Sequence, residues 1–187
     1  MTQLDHLVFF AFYGGARGAW AWLMVAATVL GEGWTVAVLV PMLAWGRTRR
    51  FAGWLTLAVL VQSTLVWGLK RVVGRTRPWI ALELPTPFMR PSDFSFPSGH
   101  AAGCFCVAAF LAMALPVAWP DARHRVRAVV MVAGGLAVLI AVSRVYLGAH
   151  FPSDVLAGAI LGALVGALAG GLYARGRSRV ERAAKRG

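Results

Sequence analysis

Apolar residues run along this chain in blocks, without the alternating pattern of a membrane barrel. Six blocks stand out, at residues 18–30, 34–45, 51–69, 101–115, 128–142 and 155–173. A helix needs about 20 apolar residues to cross a bilayer. The third and sixth blocks meet that as they stand, and the second, fourth and fifth do so once their flanks are included. The first either crosses or lies in the interface together with residues 7–13. The pattern predicts an all-α polytopic membrane helical bundle of five to six transmembrane helices. Residues 1–187 read as one membrane-embedded domain, with 1–33 open between an interfacial segment and a first span, and with 174–187 a basic tail.

Composition agrees with the pattern. The chain is 59% hydrophobic and 14% charged, with a mean hydropathy of +0.67, too apolar for an ordinary soluble domain. The first basic residue is Arg17, and no small-x-small cleavage site follows the apolar stretch near Val29. The first block is therefore expected to be retained. Cys104 and Cys106, two apart on a predicted helix, point to different faces and read as small core residues.

The net charge of +12 raises nucleic acid as a partner. The cations, however, form no single stripe with interleaved aromatics; they fall between apolar blocks, where topology places them, and no nucleic-acid partner is expected. Their placement carries orientation instead. Arg47, Arg49, Arg50, Arg123, Arg125, Arg127, Arg175, Arg177, Arg179, Arg182, Lys185 and Arg186 share one side of the predicted bundle, twelve of the 19 Lys and Arg. Lys70, Arg71, Arg75, Arg77, Arg90 and Arg144 share the other, and Arg17 is unassigned. The positive-inside rule puts the first set, with the tail, in the cytoplasm and the second at the periplasm or exterior.

Three polar clusters lie at block ends on that outward side. Pro97-Ser98-Gly99-His100 precedes an apolar helix. Ser98 suits an N-cap, Gly99 lets a ligand near the backbone, and the helix N-terminus is a natural phosphate seat. Lys70 ends the third block with Arg77 about two helical turns on. Pro78 biases Arg77 away from helix, so a turn is expected there. Arg144 ends the fifth block, His150 follows in a short loop, and Pro152 suits the first turn of the next helix. Asp154 stands four residues after His150, placed to accept a hydrogen bond from one imidazole nitrogen and leave the other to attack. It equally suits a helix start, where the dipole favours a carboxylate. Lys70 or Arg71, taken alone, reads as a snorkelling cation. Glu83 and Asp93 are the further outward acids, and no spacing completes a metal site.

Together, Lys70-x6-Arg77-Pro78, Pro97-Ser98-Gly99-His100 and Ser143-Arg144-x5-His150-x3-Asp154 resemble the three-part signature of the type-2 phosphatidic acid phosphatase superfamily, with no departure. The resemblance spans Lys70 to Asp154, about the middle half of the chain. It implies a helical-bundle core and metal-independent phosphate-ester hydrolysis, with no cofactor. By motif position it makes His150 the nucleophile, His100 the general acid and Asp154 the orienting carboxylate. Lys70, Arg77, Ser98, Gly99 and Arg144 become phosphate ligands. The implied substrate is a lipid phosphate or diphosphate, such as undecaprenyl diphosphate, phosphatidic acid, phosphatidylglycerol phosphate or lipid A phosphate, held with membrane lipid around it. Trp67 and Trp79 flank the first cluster and fit an interfacial belt.

A phosphotransferase using the same pocket is the nearest alternative. A non-enzymatic binding or transport protein is a second, though it calls for ionisable groups deep within spans, and here they sit at the ends. In the last block Gly158, Gly162, Gly166 and Gly170 recur every four residues. That ladder suits packing inside the bundle and, as a second reading, the seam of a homodimer.

Overall fold

The computed structural model describes residues 3–15, 18–31, 45–46, 48–84 and 92–184, with only the backbone described for 180–184. The second apolar block, but for Trp45, lies outside the described residues, as do Arg17, Arg47, Arg90, Lys185 and Arg186 of the charge count. The described residues form α1 (Gln3–Phe12), α2 (Ala19–Leu30), α3 (Arg49–Val73), the one-turn α4 (Pro78–Ala81), α5 (Gly99–Ala118), α6 (Arg123–Tyr146) and α7 (Pro152–Ala184). A 3-10 turn, Pro120–Ala122, joins α5 to α6.

Among the described residues, four helical stretches are long and apolar enough to cross a membrane: Arg49–Ala81, Gly99–Ala118, Pro120–Tyr146 and Pro152–Arg179. They correspond to the third to sixth apolar blocks. The first block forms α2, whose 12 residues rise about 18 Å, short of a hydrocarbon core about 30 Å thick. It packs on α6 with Ala21, Met24, Ala27 and Thr28 buried. The last helix runs past Tyr173 to Ala184, so the basic tail begins as its helical continuation.

The glycine ladder explains the central helix pair. A Cβ at Gly158 would lie 2.4 Å from the Ser98 carbonyl oxygen, at Gly162 2.0 Å from that of Ala102, and at Gly166 2.1 Å from that of Cys106. At Gly170 it would meet the Phe110 carbonyl oxygen at 2.8 Å. Any side chain there forces α5 and α7 apart, so the ladder serves packing within the bundle. The partners rise in step along both helices, so α5 and α7 run parallel. On the far face of α7, Leu156, Ile160, Leu164, Leu168 and Leu172 are exposed at the same four-residue interval. A helix small on one side and large and apolar on the other suits close packing inward and lipid outward.

Helix α3 runs antiparallel to α5: Val66 and Gln62 approach Gly99 and Gly103, and Phe51 packs on Phe110. Its buried face is Phe51, Ala52, Leu55, Ala58, Gln62 and Val66, at helical spacing. The core is continuous through Cys106, Phe110, Ala114, Ala169 and Tyr173. Cys106 is buried and Cys104 half-buried, both free thiols on different faces. This topology gathers the end of α3 and the starts of α5 and α7 at one end of the bundle.

Candidate active site

Two turns with left-handed glycines bring the polar clusters over the helix ends. Gly74 (φ 60°) caps α3 and sends the chain outward to Arg75 and Arg77. Arg77 is extended and Pro78 opens α4, the turn expected from that dipeptide. Gly148 (φ 70°) reverses the chain after α6, and the Ala149 and His150 amides then donate back to the Arg144 carbonyl at 2.9 and 3.1 Å. Ser98 caps α5, its side chain accepting from the Ala101 amide, while its own amide donates to the Asp154 carbonyl at 2.9 Å. The helix starts that the ladder holds together are thus also tied by a hydrogen bond.

His150 is buried. Its Nε2 lies 3.2 Å from Arg77 Nη1, which also donates to the Ala149 carbonyl at 2.9 Å. An arginine only donates, so Nε2 carries the lone pair and Nδ1 the proton. Burial pushes the imidazole down to about 3; Asp154 works against that, and the charges of Arg77 and Arg144 reinforce it. The ring is therefore neutral at pH 7, as a nucleophile requires.

Asp154 differs from expectation in one respect. Its Oδ2 stands 3.7 Å from His150 Nδ1, beyond hydrogen-bond length. The carboxylate is taken up by closer donors: Arg75 Nη1 at 2.6 Å, the Ser95 hydroxyl at 2.5 Å and the Phe151 amide at 2.9 Å. The last is half of a capping box, so the helix-start role is filled as well. Ser95 Oγ, 3.4 Å from His150 Nδ1, stands between ring and carboxylate.

Lys70 and Arg77 converge on one point, and a carboxylate fills it. Asp93 meets Lys70 Nζ at 2.8 Å and Arg77 Nη2 at 2.6 Å. Burial alone would raise the Asp93 carboxyl, but the Lys70 hydrogen bond and the Arg77 charge hold it at about 2. Lys70 also donates to the Phe94 carbonyl. Arg71, by contrast, lies over the exposed Trp67 ring at 3.5 Å, the snorkelling arrangement. Trp79 is half-buried.

Arg144 is buried at the base, where Nη1 donates to Thr28 Oγ1 at 3.0 Å; that hydroxyl lies 2.8 Å from Ser143 Oγ. His100, at the start of α5, is near enough to Arg144, His150, Arg77 and Lys70 to feel their charges. Gly99, beside it, would place a Cβ 3.7 Å from Val66, ordinary contact, so no neighbouring side chain demands glycine there. Among the described residues, no group of three or more His, Cys, Asp or Glu is placed to hold a metal.

The structure therefore gathers the predicted residues at one end of the bundle and adds Asp5, Thr28, Arg75, Asp93 and Ser95. Arg75 and Asp93 were visible in the sequence only as loop charges. Thr28 sits in an apolar run with no local signal, and Asp5 is 149 positions from Asp154.

Known proteins resemble this chain. Phosphatidylglycerophosphatase B from Bacillus subtilis is 35% identical over 139 residues, covering 73% of this chain and 66% of that protein. Undecaprenyl-diphosphatase from Sulfolobus acidocaldarius is 31% identical over 142 residues, covering 74% and 64%. The chain thus matches just under two thirds of the length of each of these relatives. The crystal structure of a transmembrane PAP2 type phosphatidylglycerolphosphate phosphatase from Bacillus subtilis superposes with a TM-score of 0.75 at 31% identity, covering 91% of this chain and 87% of that one. The PAP2 superfamily model matches residues 51–175, the stretch from α3 through most of α7, and this integral membrane chain belongs to that superfamily.

Proposed function

We propose that this protein hydrolyses a lipid phosphate or diphosphate through a phosphohistidine on His150, with no metal or cofactor, at the outward membrane–water interface. The observation that carries the reading is the buried His150, neutral at pH 7, with Nε2 3.2 Å from Arg77 and Nδ1 turned toward Ser95 and Asp154. Lys70, Arg77 and Arg144 neutralise the phosphate, while the start of α5, capped by Ser98, offers the Gly99 and His100 backbone amides to its oxygens. Such positioning and charge stabilisation is most of what phosphoryl transfer needs. His150 Nε2 attacks phosphorus in line, and the bond to the leaving oxygen breaks as His100 protonates it. Water then attacks the phosphohistidine, giving up its proton to His100, and phosphate leaves.

The substrate class follows from the setting and from the relatives, which are phosphatases named for phosphatidylglycerol phosphate and undecaprenyl diphosphate. Lipid tails stay in the bilayer while the head group reaches the helix ends. The whole chain acts as one membrane-embedded phosphatase domain, its site facing the periplasm or exterior and its 174–187 tail the cytoplasm, as the distribution of arginines argues.

The test is phosphate release in detergent, with excess chelator, across a panel of lipid monophosphates and diphosphates. Wild type retains activity under chelation. His150→Ala and, separately, His100→Ala lose activity, the former by at least about a thousandfold. Full activity of His150→Ala, or abolition of wild-type activity by chelation, overturns the mechanism.

A further inference from the structure

Helix α1 lies outside the stretch that the family model matches, residues 51–175, yet it reaches into the site. Its Asp5 is 6% exposed. Asp5 Oδ2 accepts from Arg75 Nη2 at 2.5 Å and from the Ser153 hydroxyl at 2.7 Å, and Oδ1 accepts from the Ser153 amide at 3.0 Å. The other arm of the same guanidinium, Nη1, donates to Asp154 Oδ1 and to Ser153 Oγ, each at 2.6 Å. Arg75 lies 4.3 Å above the Phe151 ring, on which His6 stacks and Phe9 packs. Helix α1 therefore grips the residue next to His150 and the arginine that holds Asp154.

The charges explain why a second carboxylate belongs there. An Arg75–Asp154 pair by itself cancels the charge that Asp154 presents to His150. With Asp5 on the other arm, the trio carries a net charge of −1, and the carboxylate nearest His150 belongs to it. A planar guanidinium with one carboxylate on each arm is also fixed in rotation, which fixes Asp154. Around this trio and His150 stand His6 on α1, Lys70 and Arg77 at and after the end of α3, and Asp93 before α5. His100 on α5 and Arg144 on α6 complete the set. All five of these groups other than Asp93 are cationic or become so on protonation, so the −1 trio opposes a basic surround.

We infer that Asp5 is a positioning residue for the reaction: it holds Arg75 as a fork between two carboxylates, keeps Asp154 oriented and charged beside His150, and makes α1 a working part of the site. The inference rests on the histidine-nucleophile reading. If wild type releases no phosphate, that reading fails; if wild type is active and the variants below behave otherwise than expected, this inference alone fails.

The experiment measures kcat, KM and the pH profile of kcat for Asp5→Asn, Arg75→Met and the double variant, all in the full chain. Asp5→Asn lowers kcat about tenfold, the scale of a small misplacement of reacting groups, with KM within about twofold. Less negative charge beside the imidazole favours its neutral form, so the acid limb of kcat moves to lower pH. In the Arg75→Met background, Asp5→Asn adds no further loss, because it acts through Arg75. Asp5→Ser, which also removes the carboxylate, moves the limb in the same direction and carries the test if Asp5→Asn does not fold. An unmoved acid limb in the variant that folds, or losses from Asp5 and Arg75 that multiply, overturns the inference.

Discussion

The two ends of this bundle solve the same problem, holding three helices together, by opposite means. At the cytoplasmic end proposed above, Phe51, Phe110, Trp119 and Tyr173 meet edge to face at ring centroid separations of 5.2 to 5.5 Å about Phe51. At the other end, Asp5, Arg75, Asp154, Ser95, His150, Arg77, Asp93 and Lys70 form a chain of ion pairs and hydrogen bonds. Aromatic packing is contributed by the helices themselves and gains free energy from burial and edge-to-face contact. Buried charges are costly unless every one is paired, and here the pairs come from loops and from α1. One end can therefore stabilise the bundle without constraint from chemistry, while the other spends its pairing on orienting a site.

Cutting into the aromatic end is the largest way to break this comparison. Phe110 is fully buried and touches both Phe51 and Tyr173. Phe110→Ala is expected to destabilise the protein by about 3 kcal/mol through a cavity that α3, α5 and α7 cannot close. The folded fraction should keep its KM, since the hydrogen bonds of the site are all at the opposite end. Thermal unfolding in detergent and KM at a temperature where the variant remains folded check both halves. A raised KM with unchanged stability contradicts the division of labour.

The polar end answers to pH where the aromatic end does not. His150 is held at about 3 by burial and neighbouring arginines, against an ordinary value near 6.5. As pH falls below about 6.5 the unfolded chain takes up a proton at this histidine, and the folded chain does not until pH approaches 3. Unfolding is then favoured, and stability falls with pH across that window. At pH 5 the loss from this one group is on the order of 2 kcal/mol. His150→Asn, which has no proton to gain, should flatten the fall in melting temperature between pH 7 and pH 5. An equal slope in wild type and variant would show that other groups carry the acid sensitivity.

The same contrast governs what was legible in the sequence. The helices were plain, because a span needs an apolar run and α3, α5, α6 and α7 each supply one. Even a tertiary contact was readable: four glycines at four-residue spacing marked the α7 face that meets α5. His150, His100 and the motif cations were readable because their spacing is local to helix ends. Ser95 was not, since a serine three residues before a capping serine looks like ordinary loop. Asp5 and Thr28 were not, since their partners lie 70 and 116 positions away, and no periodicity encodes such distances. The expected Asp154–His150 hydrogen bond failed for a related reason: four-residue spacing puts the groups near each other but does not reveal that Arg75 and Ser95 compete for the carboxylate.

Asp93 sharpens the comparison with the smallest change. Among the described residues it is the carboxylate that stands between Lys70 and Arg77, two of the three cations expected to grip phosphate, and its side chain is 53% exposed. Held at about 2, it is ionised at neutral pH. A phosphate that binds Lys70 and Arg77 must therefore displace it, and a partly solvated carboxylate is displaced at modest cost. Asp93→Asn removes the competing charge and leaves Arg77 anchored through the Asp93 and Ala149 backbone carbonyls, at 2.8 and 2.9 Å. KM and the inhibition constant of inorganic phosphate should both fall about threefold, with kcat little changed. Initial rates with and without added phosphate measure this directly. A rise in both constants would mean that the carboxylate orders Lys70 and Arg77 for the substrate, so that the polar end, like the aromatic end, is already assembled before anything binds.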